Sequence, residues 1–189
     1  MARPSMSLTP GPSPVRYSVE TRWLHWLTAV MVLVQFGLGE GWGFLPRGTP
    51  PRLWMIAAHT SIGVLLAATF LTRIVWAVTG GRAIRFPVIT PLDHLARLVH
   101  WLLYVMLGTE IGLGYMLRWS RGRPVMAFGV PINSPFADMG VAVQRVVGQC
   151  HHWLAWGLIV VAGFHALAAI YHAVICRDGV LQRMLPQRG

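Results

Sequence analysis

The chain predicts an all-α, integral-membrane four-helix up-down bundle, and three observations carry that expectation. Four apolar stretches, each meeting or approaching the roughly 20 residues a spanning helix needs, take up most of the 189 residues. Apolar residue types make up 54% of the sequence and charged ones 12%, which suits one membrane domain better than a soluble globule with an anchor. Several histidines fall inside the apolar stretches, where an ionisable side chain is costly and usually functional.

The elements follow in order. Residues 1–15, MARPSMSLTPGPSPV, are rich in Pro and Ser and have no apolar run, so they predict a disordered tail rather than a cleavable signal or a helix. Residues 16–189 then form one domain. Helix 1 is expected from Val19 to Leu38, with Arg22 and His25 near its start and Gly37, Gly39 and Gly41 at its end. An arginine at that position can snorkel to the headgroups. Helix 2 runs from Leu53 to Val78 and helix 3 from Leu95 to Leu117, where Gly108 and Gly112 form a G-x-x-x-G. Those glycines permit either close helix packing or clearance for a flat cofactor. The connection from Arg118 to Arg145 is rich in turn residues and is long enough to cap the bundle. Helix 4, Val146 to Ile175, contains no Asp, Glu, Lys or Arg.

The formal net charge is +10 and all sixteen basic residues are Arg. They are scattered over the helix ends instead of forming one basic face, which argues against a nucleic-acid partner and for membrane lipid. Ten lie on the side of the termini and the second loop (Arg3, Arg16, Arg22, Arg73, Arg82, Arg85, Arg97, Arg177, Arg183, Arg188) and six on the other. By the positive-inside rule both termini are cytoplasmic, so helices 1 and 3 run outward and helices 2 and 4 inward. Cys150 and Cys176 are 26 residues apart on one helix, about 39 Å, and cannot pair. The absence of C-x-x-C-H means that any haem is held non-covalently, and no C-x-x-C pair suggests zinc or an iron–sulfur cluster.

The chemistry is expected at the histidines. His151 and His165 are fourteen residues apart, which leaves them about 40° short of four full turns and separated by about 21 Å along one helix face. His59, about seven residues into helix 2 from the outer side, lies level with His151; His25, near the inner start of helix 1, lies level with His165. Two facing neutral imidazoles bind a porphyrin iron axially from both sides, leaving no open coordination position, so such a site transfers electrons and does not bind oxygen. Zinc would want three or four ligands at one depth. Arg73 follows His59 by fourteen residues and Arg52 precedes it by seven, so both share its helix face and either hold haem propionates or snorkel to headgroups. His100 sits at the same inner depth on helix 3 and is the rival to His25 as the partner of His165. His172, seven residues beyond His165, either meets a quinone carbonyl or is solvated at the interface. His94 and His152 point away from these sites, and the tryptophans near the span ends read as interface belts.

In this order, Arg16-Tyr17-Ser18 with Arg22 and His25-Trp26, the GFLPR run at Gly43 to Arg47, RGRP with AFG at Arg121 to Gly129, and the closing LQRMLP resemble the bacterial cytochrome b561 family. The similarity covers Arg16 to Pro186. It implies a di-haem b-type cytochrome of the inner membrane with ubiquinone as redox partner. It also matches His25 and His165 to inner haem ligands, His59 and His151 to outer ones, and His172 to the cytoplasmic quinone region. Some members of the family oxidise superoxide at the outer face, and Arg121 and Arg123, with Arg118 nearby, would then concentrate a small anion there, or else bind lipid phosphates. The expected function is therefore superoxide oxidation coupled to ubiquinone reduction. The alternative is a membrane subunit relaying electrons between quinone and a periplasmic dehydrogenase or cytochrome.

Overall fold

The structure, a computed structural model, describes residues 16–80 and 91–185. The expected tail, residues 1–15, lies outside the described residues, as do Arg3, Arg82, Arg85 and Arg188 of the charge count. Four helices long and apolar enough to cross a membrane carry the chain back and forth: α1 Val19–Gly41, α2 Pro50–Thr79, α3 Pro91–Trp119 and α4 Val141–Tyr171. Each begins where its sequence allows. Ser18 caps α1, its Oγ accepting the N–H of Thr21 at 3.3 Å. Pro50 and Pro51 open α2 at positions whose N–H would have no partner anyway, and Pro91 opens α3 with Asp93 in its first turn. Before α4 the Asp138 carboxylate accepts the N–H of Gly140 at 2.7 Å and the Gln144 side-chain amide at 2.8 Å, fixing the entry of that helix.

The helices exceed the expected stretches by a few residues at most ends, because polar and glycine residues continue the hydrogen-bonded turns past the apolar run. The larger departures are local. α1 closes through a 3₁₀ turn at Trp42–Phe44, and α4 ends in a five-residue π-turn at His172–Cys176, after which Arg177 takes a left-handed conformation at φ 53°. The connection after α3 is not all loop: Val125–Ala127 and Val130–Ile132 pair as the antiparallel strands β1 and β2. The N–H of Phe128, at the tip of this hairpin, donates to Oγ of the buried Ser61 on α2 at 2.9 Å, so the hairpin is seated on the bundle.

Burial is inverted relative to a soluble protein. Trp23, Trp101 and Trp153 are 70–73% exposed, Phe164 is 69% and Leu98 63%, an apolar surface that only lipid can cover. The protein's own core is one thin layer of Met31, Leu66, Leu107 and Leu158, one residue from each helix. Leu66 is seven residues from both His59 and Arg73, and Leu158 seven from both His151 and His165. Each step of seven advances about 10.5 Å and loses about 20°, so this layer lies midway between the two histidine levels. α1 packs along α2 and α3 along α4, whereas α1 meets α4 and α2 meets α3 over much shorter stretches. The seam between the α1–α2 pair and the α3–α4 pair is thus the loosest part of the bundle, and the facing histidines meet across it.

Candidate functional site

At the hairpin end, His59 of α2 faces His151 of α4, with ring centroids 6.3 Å apart and planes crossing at 88°. The carbonyl oxygen of Gln35 on α1 lies 3.1 Å from Nδ1 of His59. A carbonyl only accepts, so Nδ1 carries the proton and Nε2 keeps its lone pair. On the other ring, Nδ1 of His151 lies 2.9 Å from Oε1 of Glu110 on α3. That contact is close but not well directed, and it leaves His151 Nδ1 and Glu110 Oε2 buried without a directional hydrogen bond. Trp42, in the 3₁₀ turn, meets the His59 ring edge-on at 5.0 Å. Gly39 and Gly114 border the two imidazoles so closely that a Cβ on either would stand 3.5 Å from a ring Cε1. Around the pair opens a cavity of about 460 Å³, within the range of small-molecule sites, which Glu110, Arg118 and Arg121 also line.

At the end bearing the termini, His25 of α1 faces His165 of α4 at 6.3 Å and 71°. His100 of α3 also reaches His165, at 5.2 Å. Arg73, fourteen residues along α2 from His59, comes back to this level: its guanidinium lies 3.2 Å from Nδ1 of His25 and 5.0 Å from the centre of the Tyr104 ring. The chain's last described segment folds onto the same end, with Trp26 Nε1 donating to the Met184 carbonyl at 2.9 Å and Arg22 to that of Leu185 at 2.6 Å.

The separations test whether an iron porphyrin fits. A metal–imidazole bond of about 2.0 Å on each side, plus about 1.15 Å from ligating nitrogen to ring centre, would put the centroids of two imidazoles on opposite sides of one iron about 6.3 Å apart. Both cross-helix pairs stand at 6.3 Å. The His100–His165 pair, at 5.2 Å, is about 1 Å too close for the two rings to hold one iron from opposite sides. The unpartnered His151 Nδ1 and Glu110 oxygen at the hairpin end fit the same group, since an imidazole that held iron through Nε2 would have its Nδ1–H to give to that carboxylate.

The other expected residues go to different places. Arg52 differs most from a propionate ligand: one of its guanidinium nitrogens donates to the carbonyls of Trp42 at 2.6 Å and Leu45 at 2.9 Å, and it does not line the cavity. It clamps the 3₁₀ turn that carries Trp42 against His59. Arg121 lines the cavity, whereas Arg123 is exposed outside it, its N–H bonded to the Arg118 carbonyl at 3.2 Å. His172 heads the π-turn with Nδ1 2.5 Å from the Asp178 carboxylate. Burial tends to push that carboxyl up, but the hydrogen bonds it accepts from His172 and the Val180 N–H outweigh this and hold it below the usual carboxylate range. His152, 3.5 Å from Glu40, lines the same cavity as the ring pair together with that carboxylate. Sequence reasoning overlooked Gln35, Trp42 and Glu110. Of these, Glu110 carried a usable signal, being a carboxylate deep in an apolar span.

Residues 16–187 match the family model of prokaryotic cytochrome b561. Among curated proteins, cytochrome b561 homolog 2 of Escherichia coli is 34% identical over 185 residues, covering 92% of this chain and 93% of that protein. The probable superoxide oxidase CybB of Yersinia pestis is 29% identical over 175 residues, covering 92% and 97%. Cytochrome b561 homolog 1 of Escherichia coli is 27% identical over 179 residues, covering 92% and 98%.

Proposed function

This chain belongs to the prokaryotic cytochrome b561 family of bacterial membrane electron-transfer proteins, which implies b-type haem, and from that premise we propose that it carries two haems and passes electrons from superoxide to ubiquinone. The observation that supports this best is the repetition, on one helix, of a cross-helix histidine pair at the 6.3 Å that bis-imidazole ligation requires. His59 and His151 are the ligands at the hairpin end, which faces outward; His25 and His165 are the ligands at the inner end, with both termini in the cytoplasm. Bound there, the two haems supply one-electron carriers at two depths of the inner membrane.

The chain's own residues do the rest. The Gln35 carbonyl holds the Nδ1–H of His59 and so leaves its Nε2 lone pair for a metal, and Glu110 stands 2.9 Å from Nδ1 of His151, close enough to take its proton after a small turn of the ring. Arg73 can donate to His25 only in the tautomer that leaves Nδ1 unprotonated; were His25 to hold iron through Nε2, Nδ1 would carry the proton and the guanidinium would stand beside the ring as a charge and no longer as a donor. Arg118 and Arg121 give the outer cavity a cationic lining that draws in a small anion, with Arg123 outside it adding to the field. Two superoxide anions each give up one electron and leave as dioxygen; the two electrons, with two protons from the inner side, convert one ubiquinone to ubiquinol. His172, whose Nδ1–H is tied to the Asp178 carboxylate, keeps the Nε2 lone pair to accept the hydroxyl proton of a quinol at that side.

The test mixes purified protein, ubiquinone and a superoxide source and follows haem and quinone reduction. Superoxide dismutase should abolish the reaction. A rate indifferent to it would sink the superoxide reading and leave the relay subunit, which should then purify with a periplasmic partner. Arg121→Gln should lower the second-order rate with superoxide about threefold to tenfold at low salt, the difference shrinking as salt screens the field. An unchanged rate and salt slope would return Arg121 to lipid binding.

A further inference from the structure

The two histidine pairs have the same separation but opposite electrostatic neighbours. At the hairpin end the group against the ligand's free nitrogen is a carboxylate: Glu110 Oε1 is 2.9 Å from Nδ1 of His151, and its side chain is only 12% exposed. At the terminal end the group against the corresponding nitrogen is a cation: the Arg73 guanidinium is 3.2 Å from Nδ1 of His25. A carboxylate taking the Nδ1–H of a metal-bound imidazole makes that ligand a stronger electron donor and favours the oxidised metal. A guanidinium in a low-dielectric interior does the reverse, favouring the state with one more electron.

We propose that Glu110 and Arg73 are positioning residues that grade the two sites, Glu110 lowering the midpoint potential at the hairpin end and Arg73 raising it at the terminal end. Electrons therefore run downhill from the hairpin end to the end that bears the termini. This rests on the two-haem reading and adds to it a direction encoded in the chain. The cations Arg118 and Arg121 also line the hairpin-end cavity and oppose Glu110 there. They act from its lining, and Arg118 is directed in part to the Pro124 carbonyl at 3.4 Å, whereas the Glu110 carboxylate stands 2.9 Å from a nitrogen of the His151 ring. The two histidine levels are about 21 Å apart along the helices, so by distance alone each charge acts most strongly on its own site.

The experiment is a spectroelectrochemical titration of the purified holoprotein, with haem per chain measured on every sample. Wild type should titrate in two steps, and His165→Ala should remove the higher one. Glu110→Gln keeps the shape and removes the charge; it should raise the lower midpoint alone by about a tenfold change in that haem's reduction equilibrium, which is about 59 mV for one electron. Glu110→Asp should restore much of the wild-type value. Arg73→Gln should lower the upper midpoint alone. The proposal is overturned if His165→Ala removes the lower step, or if two-haem preparations of Glu110→Gln and Arg73→Gln leave both midpoints in place or move the wrong one. Should Glu110→Gln lose haem, the wild-type assignment and the Arg73→Gln titration still decide. Wild type with fewer than two haems would fail the two-haem reading itself, a different outcome from a wrong ordering of potentials.

Discussion

His165→Ala is expected to leave a protein with one haem where wild type holds two, retaining the hairpin-end signal and losing the other. His165 reaches His25 at 6.3 Å and His100 at 5.2 Å, so it is the common member of the terminal-end cluster, and nothing else on α4 at that depth offers an imidazole. Quinone reduction should fall by more than about 100-fold, beyond the upper end of what losing a ligand's hydrogen-bond partner costs. Reduction of the surviving haem by superoxide should persist, because His59, His151 and the cationic lining are untouched. His100→Ala is the control and should keep both haems, since its ring stands about 1 Å too near His165 for the two to hold one iron from opposite sides. Haem content, with the low-temperature spectrum of each low-spin centre, reads both variants. Loss of haem from His100→Ala together with retention in His25→Ala would transfer the ligand role to His100.

That control also marks what sequence could and could not resolve. Fourteen-residue steps gave the depth of His151, His165, His59 and Arg73, because a helix converts residue number into height and azimuth with little freedom. Choosing between His25 and His100 needed distances across the bundle, which no single helix encodes. The four spans were equally legible, since lipid demands long uninterrupted apolar runs. Less legible were the pieces where local geometry overrides the period. Three-residue strands at Val125–Ala127 and Val130–Ile132 are too short to carry an alternation, and the 3₁₀ turn at Trp42–Phe44 follows a glycine-rich stretch that reads simply as a helix end. Arg52 was placed on the correct face, but its commitment to the Trp42 and Leu45 carbonyls depends on that turn. Glu110 announces itself as an intramembrane carboxylate, yet its partner appears only when α3 lies along α4.

Leucine at Gly39 or Gly114 is expected to empty the hairpin-end site and leave the terminal-end haem in place. The argument rests on where the rings must lie. A Cβ at either position would stand 3.5 Å from Cε1 of His59 or His151, an ordinary contact, so alanine should be accepted and both haems retained. The further carbons of leucine have to enter the volume that the imidazole occupies. Overpacking of this kind costs about 1–3 kcal/mol when neighbours can move. Here each neighbour is a proposed ligand whose rotation off axis would break coordination, so the cost should appear as lost haem and not as a modest loss of stability. Gly37 and Gly112 supply the contrast, since a Cβ there meets nothing within 4 Å, and leucine at Gly112 should preserve two haems. The same comparison separates the two uses open to the G-x-x-x-G on α3. A Cβ at Gly108 would press on Phe70 of α2 at 3.2 Å, the mark of close helix packing, while Gly114, beyond the motif, is the glycine that gives the imidazole room. If Gly114→Leu kept both haems with unaltered spectra, His151 would not be confined as described, and the cavity beside Glu110 would have to serve something other than an iron porphyrin.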